Sequence, residues 1–160
     1  MKKFYNITLL FICFFLINGC GYKPIFSKER INFFINEIEF SGDRKINRLV
    51  NQNFYSYKEN STKQQGDEIN LKISSKKNTT VASKDSSGDP NSYILNIQVD
   101  LEVFNNSNTI FEKSYSKQTS YNKFEKKSDQ INYEKKLYTN LVKQTVDEII
   151  LNLIEKLNDN

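Results

Sequence analysis

From Ser128 to Leu157 the chain carries neither glycine nor proline, and its apolar residues fall on two adjacent ridges. Leu137, Leu141, Ile149, Leu153 and Leu157 form one ridge at multiples of four, interrupted only by Thr145. Tyr138, Val142, Val146, Ile150 and Ile154 form the other. Side chains four residues apart share one side of an α-helix. At 1.5 Å per residue an unbroken helix of this span would extend about 45 Å. A double ridge is wider than a coiled-coil seam and asks for a sheet to cover it. Its polar side mixes Asp147, Glu148 and Glu155 with lysines, unlike the basic face of a helix lying on a membrane.

Candidate strands supply that sheet. Tyr93, Leu95, Ile97, Val99, Leu101 and Val103 alternate with Asn96, Gln98, Asp100 and Glu102. Period-two alternation gives a strand one dry face and one wet face. Ile69, Leu71 and Ile73 alternate with Asn70, Lys72 and Ser74 in the same way, and a weaker strand is expected over 109–117. The cluster Asp85-Ser86-Ser87-Gly88-Asp89-Pro90 and the run Asn105-Asn106-Ser107-Asn108 read as turns. Together these make an antiparallel meander. Upstream, residues 31–40 are rich in Ile and Phe and read as a first strand burying Ile35, Ile38 and Phe40. Ser41-Gly42-Asp43 supplies a turn and a helix N-cap. Ile46, Leu49, Val50, Phe54 and Tyr57 then follow helical spacing over about 44–57, before a polar loop over 58–67. No internal repeat is visible. The expected fold class is α+β, a single domain in the order β-α-β-β-β-α. Its four-stranded sheet would be antiparallel or mixed, with two helices packed on one face.

The N-terminus reads differently. Lys2 and Lys3 precede an apolar run over 4–17, too short to span a bilayer, and Gly19 precedes Cys20. That layout predicts an export signal over 1–19. Leu16-Ile17-Asn18-Gly19-Cys20 resembles the lipobox of bacterial lipoproteins, although Asn18 is larger and more polar than the usual small residue. The resemblance implies cleavage before Cys20, lipidation of that cysteine, and a tether over 20–30 ahead of a domain over 31–160. Each buried CH₂ of an acyl chain contributes about 0.8 kcal/mol, so two or three chains hold firmly where one does not. Loss of the signal would remove Lys2, Lys3 and Cys13, leaving a mildly basic chain with no disulfide.

Histidine is absent, which removes the commonest general base, the commonest metal ligand and every Ser-His or Cys-His nucleophile. An exported hydrolase would need a carboxylate pair, and no two acids stand out. No catalytic residue, metal site or cofactor is expected. Asp85 to Asp89 lacks the later ligands and terminal Glu of a calcium loop, so it reads as a turn. Asn-x-Ser/Thr triplets at Asn60, Asn78 and Asn105 are expected by chance in so Asn-rich a chain.

Cys20-Gly21-Tyr22-Lys23-Pro24-Ile25-Phe26 resembles the start of mature chains in the LPS-assembly lipoprotein (LptE) family, in its α-proteobacterial form. The order of elements is similar too, as is Ser120-Tyr121-Asn122 before a charged lead-in to the last helix. The resemblance implies an outer-membrane lipoprotein, anchored by lipid, whose domain plugs the lumen of an LptD-type β-barrel. Such a plug helps the barrel fold and assists lipopolysaccharide to the outer leaflet, with no bond made or broken. Lysine stands here where arginine would be expected, giving point charges instead of bidentate forks toward phosphate.

Lys72, Lys76, Lys77 and Lys84 are the candidate contacts to lipopolysaccharide or to the barrel. A solvated strand edge kept soluble by lysines is the simpler reading of them. Lys117, Tyr121, Lys123, Phe124, Lys126 and Lys127 interleave bases with aromatics as nucleic-acid binders do. Export argues against a nucleic-acid partner, and a charged loop with Tyr121 and Phe124 packed on the last helix is the simpler expectation. The alternative function is a lipid-anchored periplasmic carrier holding a hydrophobic ligand in a hollow between sheet and helices.

Overall fold

Alternation in the middle of the chain becomes a long meander in the computed structural model, which describes residues 33–60, 66–106 and 108–158. The expected signal over 1–19, the tether over 20–30 and Cys20 lie outside those residues. The elements are β1 (Phe33–Gly42), α1 (Arg44–Asn60), β2 (Asp67–Lys84), β3 (Pro90–Asn105), β4 (Asn108–Asn122) and α2 (Lys127–Asn158). One sheet runs in the order β1-β2-β3-β4. β1 lies parallel to β2, with α1 as the crossover between them. β2, β3 and β4 pair antiparallel. The sheet is therefore mixed, and the domain is α+β in the expected order.

All core residues come from one face of the sheet and the helices covering it. β2 gives Ile69, Leu71 and Ile73; β3 gives Leu95, Ile97, Val99, Leu101 and Val103. Ile46, Val50 and Phe54 of α1 pack over β1 and β2. Val142, Val146, Ile149, Ile150 and Leu153 of α2 pack over β3 and β4 and meet α1. Both ridges of α2 face the core, buried along the middle of the helix and half-buried at Leu137, Ile154 and Leu157. Thr145, the polar break in one ridge, is buried and donates its hydroxyl to the Leu141 carbonyl at 2.9 Å.

The corner between β1 and α1 shows why the chain turns where it does. Gly42 has φ +90°, and a Cβ there would stand 2.0 Å from the Ser75 carbonyl oxygen. Only glycine tolerates both. Asp43 then caps α1, its Oδ1 accepting from the amides of Lys45 (2.9 Å) and Ile46 (3.0 Å). Buried Ser75 ties the corner to β2 through a 2.6 Å bond with Asn47 Oδ1.

Three strand boundaries differ from expectation. β1 buries Phe33 and Ile35 and leaves Ile38 and Phe40 half-buried. A register shift between Ile35 and Glu37 lets Ile35 and Ile38, three apart, face the same side. β2 continues to Lys84, well past its last buried apolar residue, because it stays hydrogen-bonded to β3. β4 reaches Asn122, so Ser120 and Tyr121 belong to the sheet instead of the helix lead-in.

Candidate functional site

With both helices on one side, the other face of the sheet has no covering layer among the described residues. Register assigns its side chains. Lys72, Ser74, Lys76, Asn78 and Thr80 of β2 face that side, as do Asn96, Gln98, Asp100 and Glu102 of β3. β4 adds Glu112, Ser114, Ser116, Gln118 and Ser120. A solvated sheet face is normally polar, but this one is also internally ordered. Asp100 Oδ1 accepts from Ser114 Oγ at 2.6 Å and from Gln98 Nε2 at 2.8 Å. Asn96 Nδ2 donates to Ser116 Oγ at 3.2 Å, and Thr109 Oγ1 donates to Glu102 at 3.0 Å. The bonds from Ser114 and Gln98, aided by nearby Lys76, hold the Asp100 carboxyl below its ordinary range. It is therefore a fixed anion at neutral pH.

Charge is graded along this face. Toward the β1 end, Glu39, Lys72, Asp100, Glu102 and Glu112 line an open concavity of about 760 Å³. Farther along, amides, hydroxyls and Lys76 replace the acids. Most of the side chains are hydrogen-bonding; Phe104, under the Lys72 ammonium (5.3 Å to the ring centre), and Ile94, opposite Thr80 and Ser120, are apolar exceptions.

The four candidate contact lysines do not share one surface. Lys72 and Lys76 share the open face. Lys77 points to the helix side, its Nζ 5.2 Å above the Tyr138 ring. Lys84 ends β2 at the hairpin tip, paired with Pro90. The tip itself is a turn held by Asp85, whose carboxylate accepts from the amides of Ser87 and Asp89, both at 2.9 Å. Those bonds engage the side chain that a calcium loop would need. Among the described residues no cluster of acids, cysteines or histidines could hold a metal, and no helix is long and apolar enough to cross a membrane.

On the covered side, Tyr121 joins β4 to the start of α2. Its hydroxyl donates to Glu134 at 2.5 Å, and Gln130 donates to the same oxygen at 2.9 Å. Burial and the Glu134 charge push the Tyr121 phenol far above its usual value. Burial alone would raise Glu134, but the bonds from Tyr121 and Gln130 and the charges of Lys127 and Lys77 bring it net below the usual range. Tyr93 stacks on Tyr121, and Phe124 packs against Tyr133 of the helix. Tyr121 and Phe124 thus pack as expected of them. The space between sheet and helices is filled by side chains at most 9% exposed.

The ordered network around Asp100 was not singled out by sequence reasoning. Its only signal there is the polar half of the β3 alternation.

No family model matches the chain, and no curated protein does. Solved structures do. Rare lipoprotein B from Shewanella oneidensis superposes with a TM-score of 0.58 at 15% identity, covering 75% of this chain and 95% of that one. Lipoprotein B from Nitrosomonas europaea gives 0.51 at 13% identity, over 82% and 89%. A minor lipoprotein from Acinetobacter baumannii gives 0.50 at 12%, over 74% and 91%. At such identities the likeness is one of fold: the α+β domain seen here is a fold that bacterial lipoproteins use.

Proposed function

We propose that this chain is a lipid-anchored outer-membrane lipoprotein of the LPS-assembly (LptE) family. It acts as plug and assembly factor of an LptD-type barrel and assists lipopolysaccharide toward the outer leaflet without catalysing a reaction. The observation that carries this reading is the open sheet face, uncovered, ordered and lined almost wholly by hydrogen-bonding side chains. Large barrels enclose polar interiors, and a plug mates with them through amides, hydroxyls and charges. The fold shared with bacterial lipoproteins supports the reading, as do the lipobox ending at Cys20 and the heptapeptide that follows it. In this assignment residues 1–19 are removed and Cys20 carries the anchor. Lys72 and Lys76, on the open face, are the lysines placed to meet barrel acids or lipid phosphates.

Affinity purification of the full-length lipoprotein from solubilised envelopes tests the proposal. A single large β-barrel at near-equal amount is expected, and depleting the lipoprotein should lower the level of assembled barrel. Recovery of a bound lipid with no barrel, or normal barrel levels after depletion, would overturn it.

A further inference from the structure

The sheet is four strands wide at one end only. β1 stops pairing at Gly42, opposite Ser75, and the chain turns there into α1. β2 continues through residues 76–84, all exposed, bonded to β3 on one side. Among the described residues no strand lies along its other side. The backbone N–H and C=O groups of that edge form a template for one more strand. Where β1 ends and α1 begins, the edge of β2 beyond Ser75 is left open, a notch in the outline of the sheet.

The notch has two chemistries. On the helix side, Val81 is 45% exposed and Ile131 of α2 is 55% exposed. Tyr138 follows Ile131 two turns later on the same helix face, with Lys77 above its ring. On the open side lie Lys76, Asn78 and Thr80. Residues 76–84 contain three lysines and no acid.

We propose that this notch takes one extended segment of a partner protein, added to β2 as a strand along residues 76–84. Its side chains would alternate, apolar toward Val81 and Ile131 and acidic toward Lys76. Strand addition draws affinity from the backbone and selectivity from alternate side chains. The lysines decide which strand is accepted. A second copy pairing antiparallel about Thr80 would set Lys76 against Lys84, and a parallel in-register copy would set each lysine on itself. Like charges directly opposed destabilise a pair, so the edge rejects its own kind and favours acid. The inference goes beyond the plug reading, for it requires neither a barrel nor an anchor.

The test uses the full chain in detergent and a fluorescein-labelled nine-residue peptide of alternating Val and Glu, with a Val/Lys peptide as control. Hydrogen exchange and fluorescence anisotropy are the readouts. Saturating acidic peptide should slow exchange of alternate amides in 76–84 roughly tenfold or more. Affinity should fall by roughly tenfold for the Val/Lys peptide, and likewise for the double variant Lys76→Glu, Lys84→Glu. Both lysines are exposed and neither faces the helices' core. Unchanged exchange at 76–84, protection confined to β4, or binding indifferent to charge would overturn the proposal. So would edge-facing amides in 76–84, those not bonded to β3, that are already protected without peptide.

Discussion

The two faces of this sheet are built from the same strands and have nothing else in common. On the covered face Leu95, Ile97, Val99 and Val103 are fully buried under two helices. One residue away along β3, Asn96, Gln98, Asp100 and Glu102 form hydrogen bonds across an uncovered surface. Since strand side chains alternate strictly, a slip of one residue would exchange the faces. Among the described residues the buried core lies on the covered face, so most of the domain's stability is expected to come from that side. Side chains on the open face are thus free to be chosen for contact with something else. That contrast predicts large stability losses on one side and almost none on the other.

The largest effect belongs to the covered side. Phe54 of α1 is 1% exposed and among the largest fully buried side chains. Phe54→Ala should cost about 3–5 kcal/mol, the loss of transfer energy plus a cavity. Urea unfolding should show a lower midpoint at an unchanged slope. A loss below about 1 kcal/mol would mean the helix layer is not what holds the sheet.

Next comes the brace between β4 and α2. Tyr121→Phe leaves Glu134 with Gln130 as its remaining bonded neighbour of the pair. A hydrogen bond to a charged group is worth about 1.5–3 kcal/mol, and a loss in that range is expected. Tyr115 should behave in the opposite way. Its hydroxyl is buried with no hydrogen-bond partner among the described residues, so Tyr115→Phe should be neutral or stabilise by about 1 kcal/mol. Burial, then the Glu148 charge, pushes the Tyr115 phenol up to about 12. The folded state therefore holds this proton more tightly than the unfolded chain, whose tyrosines titrate near about 10. Tyr115's share of stability is intact below pH of about 10 and is lost as pH rises toward about 12. Absorbance titration should show Tyr115 and Tyr121 ionising above the ordinary tyrosine value of about 10; ionisation of both at that value would contradict their burial.

Most of the fold was legible because burial leaves a period. Phe54, Val50 and Ile46 mark α1 at spacing four, and Leu95 to Val103 mark β3 at spacing two. β2 beyond Ser75 was illegible for the same reason. Apart from Val81 and Ala82, residues 76–84 are polar on both faces, so hydropathy has almost nothing to alternate, and pairing with β3 makes them a strand. The bulge in β1 hid in plain view, since Ile35 and Ile38 are three apart and cannot share a face in a regular strand. The open face was half-legible. Its polar residues were visible one by one, but their bonds join side chains fourteen or twenty positions apart, Ser114 to Asp100 and Asn96 to Ser116. Which of the four candidate lysines share a surface was not legible, because it depends on register: neighbours in a strand point opposite ways, as Lys76 and Lys77 do.

The smallest expected effect is the one that tests the comparison most sharply. Asp100→Asn keeps the shape of the side chain and removes a carboxylate whose pKa is held down by bonds from Ser114 and Gln98. A carboxyl with a lowered folded-state pKa adds stability above its unfolded value, and the contribution fades as pH falls through the folded one. For a half-buried carboxyl on an uncovered face, with Asn keeping an acceptor oxygen, the neutral-pH effect should stay within about 0.5 kcal/mol. Binding should respond differently. If the open face meets a barrel wall, the variant should recover less barrel from envelopes than the unaltered chain, while its unfolding curve barely moves. Glu125→Gln, in the exposed segment before α2, serves as the control that alters neither. A loss of several kcal/mol at Asp100 would instead make the open-face network part of the domain's own architecture. Folding would then account for its order, and the two faces would differ in chemistry without differing in purpose.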